Sequence, residues 1–74
     1  MNERIHNLLT LCMEAQSKGI DVNFDQNMRI VAVHDVTNPE KSVAFFICVR
    51  LSSAERQFTH AENYLKEVIA NAST

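Results

Sequence analysis

A chain of 74 residues with a single glycine has few ways to hold a phosphate. Nucleotide loops need several glycines so that the backbone can approach the anion. Gly19 stands alone and reads better as the end of a helix. Cysteine is also scarce. Cys12 and Cys48 are too few for a disulfide framework, and a reducing compartment would keep them as thiols. No His-x-His, His-x3-His or Cys-x2-Cys spacing occurs, so His6, His34 and His60 lack the local pattern of a metal site. No apolar run reaches the length of a membrane span. No small-residue cleavage pattern follows the N-terminal stretch "MNERIHNLLTLCMEAQ", and Glu14 interrupts its apolar character. An intracellular, cytoplasmic protein is expected.

Strong charge of either sign is missing too. The net charge is −2, with seven basic residues scattered among nine acids. That balance neither draws the chain to nucleic acid nor makes it an acidic mimic of one. The first helix has no basic run that would lay it on a lipid surface. Catalytic pairings are equally hard to build. Cysteine–histidine chemistry needs contact and a third orienting group, whereas Cys12 and Cys48 read as small buried hydrophobes. Asp21 and Asp25 share a strand face but have no cleft to separate their pKa values. No cofactor, no metal and no enzymatic activity are expected.

What the chain does have is apolar patterning in five segments. Residues 2–18 read as a helix, with Ile5, Leu8, Leu9 and Cys12 at helical spacing and Gly19 beyond the end. "IDVNFD" alternates Ile20, Val22 and Phe24 with Asp21, Asn23 and Asp25, the pattern of a half-buried strand. "RIVAVHDV", residues 29–36, is a second strand with apolar residues on both faces. "TNPEK" is a loop. "SVAFFICVRL", residues 42–51, is a third strand. One of its faces carries Val43, Phe45, Ile47 and Val49; the other carries Ala44, Phe46 and Cys48. A capping box of Ser52 with Glu55 opens a second helix, whose stripe is Phe58, Ala61, Leu65, Val68 and Ala72. The fold class is α+β in the order α-β-β-β-α. It comprises a single domain, residues 1–74, with a three-stranded antiparallel meander and both helices mainly on one sheet face.

Two helices used on one face leave the other without a cover. Ala44, Phe46 and Cys48 lie there, and the second strand adds apolar residues in either register. A five-residue loop puts Val31 and Val33 beside Phe45; a six-residue loop puts Ile30 and Val36 there. The expected interface is Val31, Val33, Ala44, Phe46 and Cys48. A contiguous apolar patch of this kind marks a binding surface, and a second copy is its simplest occupant. The expected partner is therefore the chain itself, as a homodimer, with an unidentified protein as the other occupant; no membrane and no nucleic acid are expected. The profile is that of a small non-enzymatic protein-binding module, such as an accessory protein or inhibitor carried by a phage or mobile element.

The alternative comes from element order. α-β-β-β-α is also the order of double-stranded-RNA-binding domains, an analogy at the level of fold. Those domains grip phosphates with a lysine cluster opening the last helix and with loop contacts. Here the helix opens with "SSAERQF" and the first loop reads "DQNM".

Overall fold

A computed structural model describes residues 2–72. The elements run α1 (Asn2–Ser17), β1 (Val22–Gln26), β2 (Ile30–Asp35), a single 3-10 turn (Pro39–Lys41), β3 (Val43–Cys48) and α2 (Ala54–Ala72). The α+β class and the order α-β-β-β-α are as the patterning predicts.

α1 ends where Gly19 permits it. The Ile20 N–H reaches the Ala15 carbonyl at 3.1 Å and the Gly19 N–H reaches that of Gln16 at 3.0 Å. These two bonds close a Schellman motif, with Gly19 at φ +84°. Ile20 and Ala15 are both buried, the hydrophobic contact that accompanies the motif. Ile20 therefore belongs to the helix stop, and β1 begins at Val22.

The strands pair antiparallel in the order β1-β2-β3. Asn27 organises the turn between β1 and β2. Its Oδ1 accepts from the N–H groups of Arg29 and Ile30 at 2.8 and 2.9 Å. Asn38 similarly caps the 3-10 turn by accepting from the Glu40 N–H at 3.1 Å. Between β2 and β3, Val31 lies opposite Ile47 and Val33 opposite Phe45. The register is thus the one that the five-residue loop implies.

β3 stops at Cys48, three residues earlier than the apolar run suggests. The Leu51 N–H turns back to the Cys48 carbonyl at 3.0 Å, and Leu51 is exposed. The first bond of α2 runs from the Gln57 N–H to the Ser53 carbonyl at 3.1 Å. Ser53, not Ser52, is therefore the N-cap, so the Ser52–Glu55 box is one residue out of step.

Both helices pack on one face of the sheet, α1 against β1 and α2 against β3, and they also touch each other. The core between helices and sheet holds Leu8, Cys12 and Ala15 of α1. It takes Ala54, Phe58, Ala61, Leu65 and Ile69 from α2, and Val22, Val31, Val33 and Ile47 from the sheet. The helical members recur every three or four positions, the spacing that keeps one stripe on the sheet. Arg4 ties the helices at the rim of this core. Its guanidinium meets Glu55 at 2.9 Å, Glu62 at 3.4 Å and the Thr59 hydroxyl at 3.2 Å, and it lies 5.4 Å from the centre of the Phe58 ring. Among the described residues no helix is long and apolar enough to cross a membrane.

Candidate interaction surface

Alternation along the strands sorts every side chain of the sheet. Val22 and Phe24, with Val31, Val33 and Asp35, and with Val43, Phe45 and Ile47, face the helices. The outer face carries the intervening residues in rows across the sheet. Asn23, His34 and Ala44 form one row; Asp25, Ala32 and Phe46 form the next; Ile30 and Cys48 form the third. Polar groups sit on the β1 side of this face and apolar groups on the β3 side. Phe46 is 64% exposed, although it lies within the strand. A shallow depression of about 280 Å³ adjoins it, lined by Asp25, Gln26, Asn27, Ile30 and Ala32.

Ala44, Phe46 and Cys48 share the outer face as expected. Val31 and Val33 do not. Both are fully buried on the inner face, because the pairing of Val33 with Phe45 turns the two valines toward the helices. Ile30 and Ala32, the intervening residues of β2, take their places outside. The patch is therefore Ile30, Ala32, Ala44, Phe46 and Cys48.

The inner face holds a polar cluster that sequence reasoning missed. Asp35 is buried at the end of β2. The Tyr64 hydroxyl of α2 donates to its Oδ2 at 2.5 Å, and the Thr37 hydroxyl and N–H donate to its Oδ1 at 2.6 and 3.0 Å. Thr37 Oγ1 in turn accepts from the Asp21 N–H at 2.8 Å. Burial alone would raise the Asp35 pKa. The bonds from Thr37 and Tyr64, helped by nearby His34, outweigh burial and hold it below the usual carboxylate value. Burial and the Asp35 carboxylate push the Tyr64 phenol up to about 12. A signal for this cluster existed in the sequence. Once Val31 and Val33 face inward, Asp35 must do so too, and a buried carboxylate needs donors.

The cluster is a clamp rather than a reaction centre. Each Asp35 oxygen is already engaged, and Tyr64 is held protonated by the same bond. Cys12 lies fully buried in the core, where burial raises its thiol to about 11. That thiol is neutral at neutral pH and a poor nucleophile. Among the described residues no three His, Cys, Asp or Glu side chains gather as a metal site. A groove of about 320 Å³ between the helices, lined by Asn7, Thr10, Leu11, Glu62 and Lys66, brings together one carboxylate and one amine. No protein-family model matches the chain, and neither a curated protein nor a solved structure matches it significantly.

Proposed function

We propose that this chain is a non-enzymatic protein-binding module that associates with a second copy of itself through the β3 side of its helix-free sheet face. The observation that carries the reading is Phe46, 64% exposed on an apolar outer face while both helices pack on the other. Exposed apolar patches on a small folded chain mark contact surfaces. A second copy is the occupant because closed two-fold assembly requires no further component, and because no charged side chain lies between Lys41 and Arg50 to repel one. A chain this short gains from added burial, since alone it buries only about 60% of its unfolded surface. The two thiols, Cys12 and Cys48, are free, which fits a reducing cytoplasm. The profile agrees with a small accessory protein or inhibitor of the kind carried by phages and mobile elements.

Solution mass tests the reading. Light scattering at two concentrations should give about twice 8.4 kDa at the higher one. Phe46→Asp should return the mass to 8.4 kDa with helical circular dichroism retained, because Phe46 contributes little to the isolated fold. A parent chain that stays at 8.4 kDa at both concentrations overturns the proposal.

Element order favours duplex RNA as a second reading, but the charges weaken it. α2 opens with Glu55 beside Arg56, and Arg4 is engaged by Glu55 and Glu62. The turn between β1 and β2 ends in one cation, Arg29. Phosphate contacts dominate such binding, so a salt-sensitive mobility shift with duplex RNA is the result that would revive it.

A further inference from the structure

We infer that the second copy joins edge to edge, with β3 pairing antiparallel to β3 of its partner so that Ala44 of each chain lies opposite Phe46 of the other. This rests on the self-association proposed above and sets it at the β3 edge of that face, so that Ala44 and Phe46 enter the contact and Ile30 and Ala32 of β2 lie outside it. The argument comes from the backbone hydrogen bonds of β3. The Val49 N–H bonds to the Arg29 carbonyl at 3.0 Å, just beyond the β2–β3 ladder. In antiparallel pairing, hydrogen-bonded and non-bonded pairs alternate. Val31–Ile47, Val33–Phe45 and Asp35–Val43 are therefore the bonded pairs. Ala44, Phe46 and Cys48 direct their N–H and C=O groups away from β2, toward the edge of the sheet.

Cys48 is closed to a partner strand. Its N–H donates to Gln57 Oε1 at 3.1 Å, and its C=O accepts from the Leu51 N–H. What remains within β3 is the N–H and C=O of Ala44 and of Phe46. A two-fold axis at Phe45 pairs Ala44 with the other chain's Phe46 and Phe46 with its Ala44. All these groups are then used. Slipping the partner by two residues either way leaves Ala44 or Phe46 facing a capped residue or none within the strand. Directly opposite residues share a face, so each exposed Phe46 side chain packs beside the small Ala44 of the partner.

The opposite edge lacks these properties. The Val22 carbonyl at the start of β1 accepts from Gln16 Nε2 at 2.6 Å, and β1 presents Asn23 and Asp25 on its outer face. Polar and charged side chains of this kind discourage strand addition. The β3 edge has no charged, hydroxyl or amide side chain from Val43 to Val49.

The test is Ala44→Pro together with amide exchange on the parent chain. Proline removes an N–H that points away from β2 and has no partner among the described residues, so it costs the isolated sheet no ladder bond. The variant should be folded by circular dichroism and have a mass of 8.4 kDa. In the parent, the Ala44 and Phe46 amides should exchange more than about tenfold more slowly in concentrated than in dilute solution. A folded Ala44→Pro that remains dimeric, or a parent dimer whose Ala44 and Phe46 amides stay fast, overturns the edge pairing and leaves self-association standing. A parent that is monomeric at all concentrations overturns both. Should Ala44→Pro fail to fold, the exchange result on the parent decides.

Discussion

The Tyr64 hydroxyl donates to the Asp35 carboxylate at 2.5 Å, joining α2 to the end of β2 across the helix-covered face of the sheet. Tyr64 also tilts against Phe45 with ring centres 5.3 Å apart. One side chain thus contributes both apolar contact and a donor to a carboxylate that would otherwise be buried at a cost.

This pairing gives the fold two pH limits. Asp35 is held below the ordinary carboxylate value. Its contribution to stability is present above the unfolded-state pKa, and is lost as pH falls through the folded one. Tyr64 is raised to about 12. Its contribution is present below the unfolded-state value near 10 and is lost as pH rises toward about 12. Tyr64 is the only tyrosine, so phenolate absorbance reports it alone. The native titration midpoint should lie near 12, and that of the denatured chain near 10. Tyr64→Phe should cost about 1–3 kcal/mol at neutral pH and move acid unfolding to higher pH. A native phenol that titrates like the denatured one contradicts the clamp.

Phe58 and Phe45 separate the two kinds of aromatic burial in this core. Phe58 is fully enclosed, whereas Phe45 is only half-buried beside Tyr64. Phe58→Ala should cost about 3–5 kcal/mol, which for a chain of this length approaches its whole stability of roughly 4–11 kcal/mol. Phe45→Ala should cost distinctly less. Urea titrations of both variants give the comparison, and equal losses would mean that Phe45 is as enclosed as Phe58.

These assignments show which parts of the fold were legible. The order of elements followed from apolar spacing, because each segment has one period and clear breaks at Gly19 and the Asn38–Pro39 loop. The uncovered face followed from counting helices against sheet faces. Its membership did not, since β2 is apolar on both faces and "IVAVHD" reads equally well either way round. Only the pairing of Val33 with Phe45 sends Val31 and Val33 inward and Ile30 and Ala32 outward. The end of β3 was hidden for a different reason. "CVRL" continues the strand alternation, but Cys48 turns its backbone bonds to Leu51 and Gln57.

Gly19 offers a test of the helix stop. Its φ of +84° is a conformation that L side chains rarely adopt, and a Cβ placed there would meet nothing within 4 Å. The cost of Gly19→Ala should therefore be conformational alone, about 1–2 kcal/mol. Thermal melting would register it, while the circular dichroism spectrum should stay unchanged. A larger loss, with altered helix content, would show that the Ile20–Ala15 closure had come apart.

The two cysteines report the two faces of the sheet. Cys12 is fully buried, and its thiol is raised to about 11 by that burial. Cys48 is half-buried on the outer face, in the same row as Ile30. A thiol reagent applied to the native chain should modify Cys48 first and reach Cys12 only through opening of the core. Cys48→Ala should therefore leave a chain whose labelling rate follows its stability, slow in water and accelerating with urea. Cys12→Ala should leave one that labels without denaturant. If the remaining thiol of Cys48→Ala reacts as readily as that of Cys12→Ala, the α1 stripe of Leu8, Cys12 and Ala15 does not close over the sheet.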